Sequence, residues 1–389
     1  MGASEAHMRI ERAELHFLEI PFRLSVTHGA RADRTFSDSL VLRVEAEGKV
    51  GFGEAVVRDY VSGSLGSGDD FRAQAAQAAR RILSALRANG TSWREAVAAL
   101  AALDCDASEL PLLCAVETAV LELGCRLEGV DVYALLGREP ARTTVAYGGV
   151  MPILPLEQAR AFITMYAGFG FPDFKVKVSG DPVYNSAILG LCRQALGGAA
   201  DIRVDANASW KVSDAEAHLT VCERFGVRVV EQPFAVGAQG AAAVSARACA
   251  RGFDFMADEG FLTAGEVASI AAAGTYHALN LRLSKNGGLS RVLAIAEDAR
   301  ANGLTYQLGC MVGETGILSG LGRVAASLLP APRYLEGSYD DILLAENITS
   351  ESFRFGHGGK AEVVRGRRIG FEVDEEKLAA LSVWRAPCL

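Results

Sequence analysis

The chain has 389 residues, half of them apolar, and a formal net charge of −8. That length supports one large domain or two ordinary ones with a sizeable core, and an acidic balance without a long basic run excludes nucleic acid as the main partner. No apolar stretch reaches the roughly 18 residues of a membrane span.

The eight cysteines are scattered, with no CxxC pair and no secretory signal, and read as core thiols in a reducing, cytoplasmic setting. Met8 is a candidate native start, with 1–7 an added tail. Residues 10–20 and 39–46 alternate apolar with polar, the two-residue period of half-buried strands, and a third strand ends at Gly51-Phe-Gly-Glu-Ala55. The stretches 23–34 and 58–68 have no period and carry Gly and charge, so they read as mobile loops. Ala and Leu at three- and four-residue spacing predict helices over 73–89, 93–102 and 110–128.

From Thr143-Thr-Val-Ala-Tyr147 onward strands alternate with helices, at 156–167, 183–196 and 213–225, as far as about 344. That alternation is α/β, a (β/α)₈ TIM-type barrel. The expected organisation is an α+β capping domain over 8–140 and a barrel over 141–345. A strand-like segment, 346–389, packs back on the cap.

Five charged residues end successive apolar runs at intervals of 26 to 28 residues, the length of one βα unit. They are Lys177 in Phe174-Lys-Val-Lys-Val178, Asp205 in Ile202-Arg-Val-Asp205, Glu231 in Val229-Val-Glu231, Asp258 in Phe255-Met-Ala-Asp258, and Lys285 in Leu279-Asn-Leu-Arg-Leu-Ser-Lys285. A barrel collects its strand ends on one face, so three carboxylates and two lysines should meet at one mouth. Three hard oxygen donors suit Mg²⁺, with Mn²⁺ as the alternative. Lys175 shares a strand face with Lys177, and nearby positive charge should lower a lysine toward the range of a usable base. Asn207 faces the same side as Asp205. Glu259 is expected on the other side of its strand end, beside the ligands rather than on the metal. With a lysine on each face of a carbon next to a carboxylate, a proton can leave from one side and return from the other, which is racemisation or epimerisation. With a leaving group or an internal nucleophile, the same intermediate gives a lyase or a cycloisomerase.

These residues resemble the enolase superfamily, specifically its muconate lactonizing enzyme subgroup. Lys175-Val-Lys177 is similar to the family's KxK, Asp205-Ala-Asn207, Glu231-Gln-Pro233 and Asp258-Glu259 to its metal-ligand strands, and Ser284-Lys-Asn-Gly-Gly288 to its sixth-strand lysine. Gly309-Cys-Met311 with Glu314 is similar to its seventh-strand segment. The resemblance implies a modified, enolase-like barrel and Mg²⁺ on Asp205, Glu231 and Asp258. It implies Lys177 and Lys285 as the acid/base pair, with Lys175 polarising the substrate carboxylate. It also implies specificity loops in the cap, with His28, Arg31, Arg58 and Tyr60 as candidate contacts, and a homo-oligomer acting on a small carboxylate such as an amino-acid derivative. The subgroup's dipeptide epimerases carry Asp-x-Asp on the eighth strand. Gly337 and Tyr339 stand in those places here, so a free-amine dipeptide is not the expected substrate, and Glu336 and Asp340 are the carboxylates left nearby.

Overall fold

The structure, a computed structural model, describes residues 9–26, 34–89, 92–366 and 368–389. His28 and Arg31 lie outside the described residues. The cap is built on a four-stranded antiparallel sheet in the order Ser382–Pro387, Arg12–Leu18, Leu40–Ala46, Lys49–Ala55. The helix Leu110–Glu128 lies across it and is buried along nearly its whole length. Gly51 and Gly53 make that approach possible, because a Cβ on either would collide with the backbone of Ala119 or Ala115. Pro111 starts this helix and Gly129, in the left-handed region, ends it. A capping box of Ser92 and Glu95 starts the helix Trp93–Ala102.

Two readings of the cap need correction. The stretch 23–34 is strand at both of its edges, since Ile20–Val26 pairs with Arg34–Ser37 as a two-stranded ribbon. Within 58–68, Asp59–Ser62 is a single helical turn. The C-terminal stretch also holds a helix, Glu375–Leu381, whose start Asp374 caps by accepting from the backbone of Glu376 and Lys377 at 3.1 and 3.0 Å.

The second unit is a seven-stranded parallel sheet whose members are hydrogen-bonded in sequence order. They are β1 (Gly149–Met151), β2 (Asp173–Lys177), β3 (Asp201–Asp205), β4 (Val229–Glu231), β5 (Asp254–Ala257), β6 (Ala278–Leu281) and β7 (Thr305–Leu308). Residues 334–336 supply the eighth station. Leu308 N donates to Tyr334 O (3.1 Å), Glu336 N to Leu308 O (2.8 Å) and Gly148 N to Leu335 O (2.8 Å). The sheet therefore closes into a barrel, with helices such as Leu156–Ala167, Pro182–Leu196 and Leu289–Ala301 between its strands. Glu54, at the end of the cap strand Lys49–Ala55, joins the two units. Its carboxyl oxygens accept from Ser39 Oγ (2.7 Å), from Thr315 N and Oγ1 (2.8 and 2.7 Å) and from Leu318 N (3.1 Å), at the start of the helix Gly316–Leu328. Burial pushes Glu54 up to about 7. Among the described residues, no helix is long and apolar enough to cross a membrane.

Candidate active site

Strand alternation sends Asp173, Lys175 and Lys177 of β2 into the barrel, one above the other, with Arg203 and Asp205 of β3 beside them. Lys177 Nζ donates to Asn207 Oδ1 (3.0 Å) and lies 3.5 Å from Asp205 Oδ2. Asn207 adopts φ 43°, which turns its amide back so that its Nδ2 also meets Asp205 Oδ2, at 3.2 Å. Lys175 sits one layer deeper, 2.8 Å from Glu336, 3.4 Å from Glu231 and 3.6 Å from Asp205. Burial pulls its ammonium down, but those three carboxylates hold it above its ordinary value. The expectation of a lowered lysine therefore fails for Lys175, which stays a cation. Against burial, Lys177 and Lys175 hold Asp205 below the usual carboxylate range.

Glu231, at the end of β4, accepts from Asn280 Nδ2 (2.7 Å) and Gln307 Nε2 (3.0 Å), and burial pushes it up to about 7. The next residue, Gln232, has φ 36°, and its Oε1 accepts from the backbone of Asp258 (2.9 Å) and Gly260 (3.1 Å). Gln232 thereby holds the end of β5 in place. The side chain of Glu259 feels the charges of Asp258, Asp205 and Arg282. Its Oε2 is buried with no hydrogen-bond partner, and burial, then Asp258 and Asp205, push it up to about 8.

The end of β6 carries a residue that the sequence reading passed over. Asn280 and Arg282 share the inward face, and Arg282 hydrogen-bonds Asp258 Oδ2 while lying 3.7 Å from Glu231 Oε1. Its Nη1 reaches Met311 Sδ at 3.4 Å. Lys285 belongs to the turn after the strand and is wholly buried. Its ammonium donates to Asp258 O (2.9 Å), Asp258 Oδ1 (3.1 Å) and Asn280 O (2.6 Å), and lies over the ring of Phe261. Burial pushes it down to about 8. The signal for Arg282 was in the sequence, two residues after Asn280 and so on the same strand face.

Asp205, Glu231 and Asp258 end three adjacent strands and are fully buried. As they stand they are matched to Lys175, Lys177, Arg282 and Lys285, and among the described residues no group of three or more acidic, His or Cys side chains is gathered tightly enough to hold a metal ion. The donor set still fits a hard divalent cation, being three buried carboxylates. Close to them, Oε2 of Glu259 is a further buried carboxyl oxygen with no hydrogen-bond partner.

At the mouth, Arg58 is buried and committed to the fold, donating to Asp38 Oδ1 (2.8 Å), Val57 O (2.6 Å) and Val312 O (2.7 Å). It latches the cap to the loop after β7 instead of facing a substrate. Tyr60, partly buried, feels the charges of Arg58, Arg282, Glu259 and Asp258, which brings it to the site. Glu314 accepts from Met311 N (2.7 Å), and burial pushes it up to about 8. It lines a small cavity with Tyr147, Cys310, Glu336 and Gly337. Neither remaining carboxylate of the eighth station is free. Glu336 binds Lys175 and, at 2.5 Å, Arg203, while Asp340 accepts from Ser319 Oγ (2.6 Å) and Asn347 Nδ2 (2.7 Å).

A closed parallel barrel with charged side chains on its strand ends and a β-rich cap defines a class of barrel enzyme. Residues 157–377 match the family described as enolase C-terminal domain-like. The chain is 28% identical to a hydrophobic dipeptide epimerase of Roseobacter litoralis, over 79% of this chain and 84% of that one. It is 26% identical to a chloromuconate cycloisomerase of Cupriavidus pinatubonensis, over 95% and 98%. Its fold matches the N-succinyl Arg/Lys racemase of Bacillus cereus with a TM-score of 0.81 at 19% identity, covering 98% of this chain and all of that one. The chain belongs to the enolase superfamily, in its muconate lactonizing enzyme subgroup, and is an enzyme of the isomerase class.

Proposed function

We propose an isomerase that moves the proton α to a carboxylate group of a small molecule, with Lys177 as the acid/base. The observation that carries this is the stacked pair on β2, where Lys177 at the strand end meets the side chains of Asn207 and Asp205 while Lys175, one layer deeper, is held as a cation by three carboxylates. Lys175 attracts the substrate carboxylate; Lys177 takes or gives the proton at the carbon beside it. Asp205, Glu231 and Asp258 would hold Mg²⁺ or Mn²⁺, which when bound supplies stabilisation of the negative charge that develops on the carboxylate. Glu336 and Asp340 being engaged elsewhere, the substrate carries no free ammonium at the eighth station. An N-substituted amino acid or an amine-free acid fits best.

Two outcomes follow from one proton transfer. Racemisation or epimerisation needs a second group on the opposite face, and Lys285 holds that role in the sequence reading. Cycloisomerisation needs Lys177 alone, and the geometry supports it better because the ammonium of Lys285 is already spent on three acceptors. A cytoplasmic homo-oligomer remains part of the proposal.

The test is NMR in D₂O with Mg²⁺ over N-acyl amino acids, dipeptides, betaines and muconate-type acids. Deuterium at the α-carbon with no other change of mass means racemisation or epimerisation. A new olefin or lactone signal means elimination or ring closure. No incorporation from any acid, in protein that binds Mg²⁺, would sink the proposal.

A further inference from the structure

β6 is the fourth strand on from β2 in a barrel of eight stations, so whatever ends β6 inward faces Lys177 across the mouth. The inward face of β6 runs through Asn280, which donates to Glu231, and on to Arg282. Arg282 feels Lys175, Asp205, Glu231, Asp258, Glu259 and Glu314, together with Tyr60 of the cap. Lys285 is tied into the following turn. In that turn Asn286 Oδ1 accepts from Arg282 N (2.8 Å), and Asn286 Nδ2 donates to Leu262 O (2.7 Å). An ammonium has three protons to donate, and those of Lys285 go to two backbone carbonyls and one carboxylate oxygen.

We infer that Arg282, not Lys285, faces the substrate from the side opposite Lys177, and that its guanidinium contends with a divalent cation for Asp258 and Glu231. This rests on the proposed α-proton chemistry and deepens it. A guanidinium stays charged in proteins and donates without accepting, so only one face of the substrate meets a base. In the direction of ring closure, a substrate oxygen adds to a carbon–carbon double bond, and the electron pair moves toward the α-carbon and its carboxylate. The Lys177 ammonium then delivers its proton to that carbon; atoms and charge balance without a co-reactant. The ligand class is a carboxylate that reacts on one face only, its developing negative charge drawn toward Arg282.

Two measurements on the full chain test this. Calorimetric titration with Mg²⁺ alone should show Arg282→Met binding the cation about tenfold more tightly than the parent, the fold-change of losing one close charge pair. Deuterium exchange from single enantiomers of N-acetyl amino acids should be confined to one enantiomer. Arg282→Lys, which puts an amine on the opposite face, should raise exchange from the silent enantiomer by about tenfold or more. Lys285→Arg should lower Tm without changing which enantiomer exchanges. Unaltered Mg²⁺ affinity in Arg282→Met overturns the inference. So does exchange of both enantiomers by the parent with loss of one in Lys285→Arg. If no variant exchanges any acid, the α-proton reading has failed, and the titration by itself decides the place of Arg282.

Discussion

The two sides of the barrel mouth treat a lysine in opposite ways. On the β2 side Lys177 ends a strand, points inward by alternation, and is held by the side chains of Asn207 and Asp205 at 3.0 and 3.5 Å. On the β6 side Lys285 lies four residues past the strand, and its two shortest bonds are to main-chain carbonyls. Side-chain acceptors at a mouth can exchange for a substrate; carbonyls of a turn cannot leave without unfolding it. The place of a lysine relative to the strand end, more than its residue type or its spacing from the last motif, decides whether its partners are side chains or main-chain carbonyls.

The most severe way to break this comparison is to remove each lysine in turn. Lys177→Met should cut deuterium exchange by about 10²–10⁴-fold, the usual contribution of a positioned acid/base, with Tm little changed. Lys285→Met should instead act first on Tm. If it is Lys177→Met that melts the chain early, the two roles are reversed. Below the mouth, Glu336→Gln leaves Lys175 and Arg203 with one buried anion fewer. Losing a partner from a buried ion pair costs about 3–5 kcal/mol, to be read from denaturant melts, and exchange should fall because Lys175 loses its 2.8 Å anchor.

The seam over β7 gives a smaller, pH-dependent contrast. Glu54 titrates at about 7 in the fold against 4.5 ordinarily. Between those values the folded chain holds a proton that the unfolded chain releases, so this group's contribution to stability falls as pH rises from about 4.5 to about 7. Melts at pH 5 and pH 8 should differ less in Glu54→Gln than in the parent; an unchanged difference would show Glu54 to be ionised throughout. The smallest effect expected is that of Tyr339→Phe, which loses the 2.6 Å bond to Gly148 O and about 1 kcal/mol of stability, with exchange unaffected.

Much of this was legible in the chain. The alternation of β2 placed Lys175 and Lys177 on one face, and apolar runs ending in Asp205, Glu231 and Asp258 marked adjacent strands. Helices such as Trp93–Ala102 and Leu110–Glu128 have the bounds that their periodicity and caps predict. Arg58 was not legible as a latch, because its partners Asp38 and Val312 come from separate parts of the sequence. Arg282 was overlooked for a subtler reason. It sits in a run of apolar neighbours and is one residue outside the strand, where alternation still holds but no motif draws the eye.

The sequence by itself determined the α/β alternation, the positions of the strand-end charges and the family to which they belong, because period and spacing are local properties that survive translation into structure. Tertiary structure alone decided what each charge is bound to. Lys175 became a fixed cation only when Glu336 arrived from the eighth station. Lys285 is bound to Asp258 and Asn280 only because the turn after β6 folds over them, and Arg282 meets Asp258 only because β5 and β6 are neighbours. Ion pairing depends on distances between residues tens to hundreds of positions apart, and no local pattern encodes those.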